Sequence, residues 1–217
     1  MKIAIFYHIG QIGIGAFVYI NQVHRLYTSG LIREASYIHF GVNGNQELFN
    51  VPDKVRVVYN QNHKEETETL MSLRDFCKQN PDYKVLYFHT KGVSKENINA
   101  ESWRLMMEYF VIDKWKKCIE YLNECDVVGS NLKVLGPTTW SDGTQTWEKV
   151  GTQHFVGNFW WANSSYVNTL DDDFLKSDFR LDREFWIGTG NGKMKSLYQP
   201  EDYEPYTCFY QEKDYVS

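Results

Sequence analysis

Residues 83–88, Tyr-Lys-Val-Leu-Tyr-Phe, form a nearly unbroken apolar and aromatic run of strand length, and the chain turns polar within one residue at His89-Thr90-Lys91-Gly92. An apolar run without alternation is the pattern of a strand covered on both faces. It directs the chain toward a sheet with helices on either side. In open sheets of that kind, ligands bind just beyond the carboxyl ends of the strands. His89, Thr90 and Lys91 therefore stand where a ligand is expected. A lysine beside a histidine, a hydroxyl and a flexible glycine suits an anionic group such as a phosphate. The competing reading is a strand that simply exits into a polar loop.

The rest of the chain supports the same class. Lys2 to Tyr7 reads as a buried first strand, followed by His8-Ile9-Gly10. Glycines 10, 13 and 15 then lead into a helix whose stripe is Phe17, Ile20, Val23 and Tyr27, with Gly30 placed to end it. The glycine spacing is not GxGxxG, so it does not support a nicotinamide site. Further strands are expected at Ala35 to Phe40 and Val55 to Tyr59, the latter ending at Asn60-Gln61-Asn62-His63. The acidic Glu65-Glu66-Thr67-Glu68 opens a helix, where carboxylates complement the dipole, and Leu70, Leu73 and Cys77 are its apolar stripe. This β-α-β-β-α-β alternation predicts an α/β fold with a mostly parallel central sheet flanked by helices.

Beyond Gly92 the pattern predicts one long helix from Glu101 to Leu122, striped by Trp103, Met106, Phe110, Lys114 and Cys118, and then a short strand at Asp126 to Gly129. Residues 131–153 are polar with little periodicity, the composition of a functional or mobile loop. His154-Phe-Val-Gly-Asn158-Phe-Trp160-Trp161-Ala-Asn163 follows, with Asn163 capping a helix through Leu170. Neither repeat nor linker interrupts the 217 residues, so one domain is expected over 1–217, whether whole or excised from a longer protein.

Composition narrows the function. Aromatic residues make up 16% of the chain, and rings with hydrogen-bonding tips suit the stacking of sugars or bases as well as large cores. A net charge of −5 argues against a nonspecific nucleic-acid binder. Cys77, Cys118, Cys125 and Cys208 show neither CxxC nor zinc spacing; buried free thiols fit a reducing compartment. With no signal peptide and no apolar run of the ~20 residues a span needs, a protein without membrane insertion is expected, cytoplasmic in location.

A metal-dependent sugar-nucleotide enzyme commonly holds Mn²⁺ or Mg²⁺ on a DxD at the end of a middle strand. Asp171-Asp172-Asp173 is the acid run that fits such a motif, but it follows a helix, where acids are usually solvated. His89-Thr90-Lys91 occupies the strand end instead. Lys91 there neutralises phosphate directly, and His89 is the candidate metal ligand or donor.

Taken together, YFHTKGVS, a Trp-Arg helix, DVVG, HFVGNFWWANSSYV and REFWIG resemble a group of GT-A-type glycosyltransferases found in bacterial polysaccharide clusters and in large DNA viruses of chlorella algae. The resemblance spans about residues 1 to 190, with HTKG in place of DxD. It implies a nucleotide-diphospho-sugar fold, a UDP-sugar donor (UDP-glucose or UDP-rhamnose type), transfer to a glycan or glycoprotein hydroxyl and retention of configuration. For a viral chain the location would be the host cytoplasm. It leaves a divalent metal open, and a noncatalytic carbohydrate-binding domain on the same fold is the alternative. On this reading Tyr7, His8 and Gly10 lie under the nucleobase, with Asn60 and Asn62 lining the same pocket. His89, Thr90, Lys91 and Gly92 face the diphosphate. His154, Asn158, Trp160 and Trp161 wall the sugars, and Asp182 and Glu184 are the carboxylates brought to the reacting carbon.

Overall fold

The computed structural model describes residues 1–60, 66–94, 96–136, 149–200 and 206–216. Its centre is β1 (Lys2–Gly10), hydrogen-bonded in parallel to β2 (Tyr37–Asn43) on one side and to β4 (Tyr83–His89) on the other. With β3 (Val55–Tyr59), β5 (Val127–Gly129), β8 (Trp160–Asn163) and β9 (Met194–Ser196), these build a seven-stranded sheet in the order β3-β2-β1-β4-β8-β5-β9. All neighbours run parallel except β8, antiparallel to both β4 and β5. A short antiparallel pair, β6 (Leu132–Val134) and β7 (Gln153–Phe155), brackets the stretch 131–153 expected to be loop. The mixed α/β class with a mostly parallel sheet flanked by helices is as expected. Among the described residues, no helix is long and apolar enough to cross a membrane.

Side chains alternate across a strand, so each apolar run feeds two cores. Ile3, Ile5, Tyr7 and Ile9 of β1 join Leu86 and Phe88 of β4 under α1 (Gly15–Thr28) and α4 (Ile98–Glu108). Ala4 and Phe6 join Val85 and Tyr87 on the opposite face, under α3 (Thr67–Gln79). The same alternation overturns the expected Trp160–Trp161 platform. Consecutive residues of β8 point to opposite faces: Trp161 packs in the first core and Trp160 in the second, both fully buried.

Two helical expectations also change. In α1 the buried face is Val18, Tyr19, Gln22, Val23 and Leu26, while Phe17, Ile20 and Tyr27 are exposed. The stripe was displaced because a glutamine sits at the centre of the inward face. The long helix is not continuous. It passes from α4 through a π-helical turn, Tyr109–Asp113, to α5 (Trp115–Tyr121), and Lys114 lies outside the buried stripe. Such turns loosen the backbone ladder. Here the indole of Trp161 donates to the Val111 carbonyl at 2.7 Å, and the Cys118 thiol donates to Phe110 O at 3.2 Å. Asn163 stands at the N-cap of the short helix Ser164–Val167, as expected, but makes no side-chain capping bond; its amide donates instead to the carbonyls of Leu122 and Cys125.

Candidate functional site

After β1 the chain builds β2 and β3 to one side, and β4 then pairs on the other. The loops leaving β1 and β4 therefore diverge and leave a crevice at their carboxyl ends, the switch point at which open α/β sheets bind ligands. A cleft of about 890 Å³ opens there, lined by His8, Gly10, Asn43 and residues 89–94 from the strand ends, with Glu66, Arg180, Glu184 and Tyr206 reaching in from elsewhere.

The loop after β4 is held from above and below. The Gly10 N–H donates to Thr90 Oγ1 at 2.8 Å, and the Thr90 N–H donates to His8 O at 3.0 Å, closing the two strand ends together. Beneath, Gln22 Nε2 donates to the His89 carbonyl at 3.2 Å, and Arg104 Nη1 donates to the Lys91 carbonyl at 3.1 Å. Both donors converge on the buried carboxylate of Glu108: Gln22 Nε2 lies 2.6 Å from its Oε1 and Arg104 Nε 3.3 Å, while Arg25 Nη1 is 3.0 Å from Oε2. The Lys91 ammonium stands 4.8 Å over the Trp103 ring, a cation–π contact that fixes a long side chain at the cleft.

One wall is organised by the turn Gly157-Asn158, in which both residues have positive φ (+98° and +58°). Glycine is required at 157: a Cβ there would lie 2.5 Å from Met107 Sδ. The Gly157 carbonyl lies 2.9 Å from His89 Nε2, and its N–H donates to Glu184 Oε1 at 3.0 Å. Asn158 Nδ2 donates to Glu66 Oε2 at 2.9 Å, and the Tyr87 hydroxyl donates to the same oxygen. Three cleft side chains thus hang from two residues.

A carbonyl can only accept, so Nε2 of His89 carries the proton of that bond. Burial first, and then the Lys91 charge, push the His89 pKa down to about 3, so the ring is neutral and Nδ1 keeps its lone pair. His89 therefore offers the cleft an acceptor at Nδ1, which corrects the donor alternative and keeps the lone pair that the metal-ligand alternative needs. His8, bonded through Nδ1 to Thr69 Oγ1 at 2.9 Å, is held down to about 4, chiefly by burial.

Of the residues singled out from sequence, His8, Gly10, His89, Thr90, Lys91, Gly92 and Glu184 all line this cleft. The others do not. Tyr7 is fully buried, stacked on Phe88 with ring centroids 4.3 Å apart, and its hydroxyl donates to Gln22. It points away from the cleft because it lies one residue out of phase with His8. Asn60 is buried and donates through Nδ2 to Asn43 Oδ1 at 3.0 Å, leaving Asn43 to line the cleft. Asn158 is internal, accepting from the Trp160 indole at 2.7 Å, and so acts through Glu66 rather than as a wall. His154 is buried against the Phe185 ring. Asp182 is buried in an ion pair with Lys149, two residues before Glu184 in the same short helix and turned elsewhere. Asn62 lies outside the described residues. Asp172 pairs with Arg74 and Lys78 at a helix end, as a solvated acid run should.

Sequence reasoning missed Glu66, Asn43 and Arg180. Glu66 was visible as a helix-opening acid, but its role comes from Tyr87 and Asn158, both distant in sequence. Among the described residues, no three His, Cys, Asp or Glu side chains converge as a metal cage. With the described donors of this cleft alone, a bound ion would take most of its shell from a ligand's phosphates and water.

A family described as a domain of unknown function, DUF8361, matches residues 33–180, well over half the chain. The chain belongs to that family. The matched stretch of this DUF8361 protein contains β4, the HTKG loop, Glu66 and the Gly157-Asn158 turn, and ends at Arg180; β1 and Glu184 fall outside it. No curated protein matches the sequence. Among solved structures, similar ones include the bifunctional IspDF of Campylobacter jejuni, at 10% identity and a TM-score of 0.46 over 99% of this chain and 53% of that one. A 4-diphosphocytidyl-2C-methyl-D-erythritol synthase follows at 10% identity and a TM-score of 0.43, over 98% and 94%. The 2-C-methyl-D-erythritol 4-phosphate cytidylyltransferase of Thermus thermophilus gives 9% and 0.38, over 100% and 95%. Likeness this distant speaks to neither activity nor substrate.

Proposed function

We propose that the protein is a glycosyltransferase that moves a sugar from a UDP-sugar donor, of the UDP-glucose or UDP-rhamnose type, to a hydroxyl of a glycan or glycoprotein. The observation that carries this reading is the cleft at the β1–β4 switch point, where Lys91 and Arg180 supply cations and Glu184 a carboxylate within one cavity. A diphosphate needs the first and a sugar the second. The nucleobase end would lie toward Asn43 and Gly10, with the diphosphate over Thr90, Lys91 and Gly92.

In the transfer step, the bond between the sugar's anomeric carbon and the β-phosphate oxygen breaks, its electron pair leaving with UDP. The acceptor oxygen forms the new bond to that carbon. Its proton passes to the leaving phosphate if configuration is retained, or to the Glu184 carboxylate if it is inverted. Lys91 and Arg180 offset the charge that grows on the leaving group, and they are most effective where water is excluded.

Calorimetry and thermal shift with UDP test the reading. UDP should raise Tm, and Lys91→Ala should weaken UDP binding more than tenfold, about 1.4 kcal/mol. No shift with UDP or any UDP-sugar, in Mn²⁺ or in chelator, would sink it. Pyrophosphate release from a nucleoside triphosphate would assign a nucleotidyltransferase instead. Glycan binding without donor turnover would leave the noncatalytic carbohydrate-binding domain.

A further inference from the structure

We infer that Glu66, Glu184 and His89 form an acceptor-only wall that recognises the hydroxyl groups of the donor sugar, an inference that rests on the UDP-sugar reading above. Each of the three is anchored through one atom and leaves another uncommitted. Glu66 accepts through Oε2 from Asn158 and Tyr87, Glu184 accepts through Oε1 from Gly157, and His89 donates through Nε2 to the Gly157 carbonyl. Among the described residues, Glu66 Oε1, Glu184 Oε2 and His89 Nδ1 have no hydrogen-bond partner, and all three residues line the cleft.

What remains on this wall can accept and cannot donate: carboxylate oxygens and an imidazole lone pair. A phosphate, itself an acceptor, is rejected by such a surface and belongs with Lys91 and Arg180. A sugar ring presents several O–H donors and is held by it. Hydrogen bonds from a neutral hydroxyl to a charged acceptor are among the stronger ones. Hydroxyls paired this way would also separate a sugar from its deoxy analogue, because the wall would then be left with buried, unpaired acceptors. The anchoring by a single rigid turn means the three acceptors keep fixed mutual positions, as selective recognition of a polyol requires.

The anchors make a polarity test available at constant volume. In Glu66→Gln and Glu184→Gln the anchoring groups are all donors, so the new amide must turn its oxygen to the anchor and its NH₂ to the cleft. The cleft-facing atom changes from acceptor to donor while the tether survives. Affinities of the full chain for UDP and for the tightest-binding member of a UDP-sugar panel are measured by calorimetry, in Mn²⁺ and in chelator. In each variant the ratio of UDP-sugar to UDP affinity should fall at least fivefold, with UDP itself moving less than twofold. Equal weakening of both ligands, or no change in either, overturns the inference while leaving the glycosyltransferase reading intact. So does a wild-type protein that binds UDP only with Mn²⁺ and variants that lose this dependence, since the carboxylates would then be metal ligands. A wild-type protein that binds neither ligand removes both readings together.

Discussion

Lowering the pH should destabilise this fold chiefly through three histidines, with His154 shifted the same way by burial, and the size of the effect follows from where they sit. Burial is the first cause in each case: it holds His8 and His39 down to about 4, and His89 to about 3. Arg56 adds to the effect at His39, as Lys91 does at His89. An unfolded chain takes up these protons near pH 6.5, while the folded protein stays neutral there. The unfolded state therefore binds more protons, and stability is fully present above about pH 6.5 and lost as pH falls below it. Each unit of pH below that point costs ~1.4 kcal/mol per histidine, or about 2 kcal/mol each at pH 5. Three such groups approach ~6 kcal/mol, a large share of the ~5–15 kcal/mol a domain holds. Glu108, whose carboxyl is pushed up by burial, works in the opposite direction. A difference between two proteins is therefore cleaner than an absolute slope. His39 supplies it: the ring stacks on Phe6 with centroids 5.3 Å apart, and both of its nitrogens are buried without a hydrogen-bond partner. Urea midpoints at pH 7.5, 6.5, 5.5 and 5.0 should fall less steeply for His39→Phe, the curves separating by about 2 kcal/mol at pH 5. At pH 7.5 the variant should be as stable as the parent or more so, since unpaired buried polar atoms are removed. Parallel curves for the two proteins would refute the reasoning.

Gly157→Ala should cost ~1–3 kcal/mol in urea unfolding, because a side chain at φ +98° is strained and the new methyl meets Met107; it should also weaken UDP-sugar binding by displacing Glu184 and His89. Unchanged stability would mean the turn relaxes freely. Glu108→Ala should lose ~3–5 kcal/mol, since it leaves the Arg104 charge buried without its carboxylate; a loss under ~1 kcal/mol in the same assay would show that water reaches the network. In native protein at pH 8, a thiol reagent should label Cys208 quickly and leave Cys77 and Cys118 unreacted, the Cys77 thiol being pushed up to about 12 and that of Cys118 higher still by burial. Fast labelling of Cys77 or Cys118 would reveal local opening around α3 or α5.

What the sequence made legible was set by local periodicity. The apolar runs at Lys2 and Tyr83 mark strands covered on both faces, and the break at His89 marks the end of one, so the sheet and the cleft's floor could be read directly. Pairing and direction are non-local, and so the antiparallel β8 between β4 and β5 had no signature. The same limit explains the tryptophans. Trp160 and Trp161 look like one platform in a linear string and separate only once the pair is known to be in a strand. Helix α1 misled for a different reason: its inward face is centred on Gln22, a polar residue whose partners Tyr7, Glu108 and the His89 carbonyl come from β1, α4 and β4. For the same reason Glu66 did not stand out and Asn158 reads as a wall rather than a support, since each is defined by the other, 92 positions away.

The network beneath the 89–92 loop bears on why this polar machinery is buried at all. Taking Glu108 and Arg104 out of water is costly, and well-packed apolar side chains in place of a buried ion pair are often neutral or stabilising. Stability alone therefore does not account for a glutamate, an arginine and a glutamine meeting inside this core. Their remaining bonds do: Gln22 and Arg104 spend them on the carbonyls of His89 and Lys91, the residues on either side of Thr90. Both carbonyls are turned inward, away from where a phosphate would lie, so the loop does not oppose an anion at Lys91 with its backbone carbonyls. Above the loop, Thr90 ties β4 to Gly10 of β1. The strand end is thus gripped from both sides at three consecutive residues. A loop fixed in this way can present Lys91 to a diphosphate without ordering itself on binding, which lowers the entropic cost of holding the ligand.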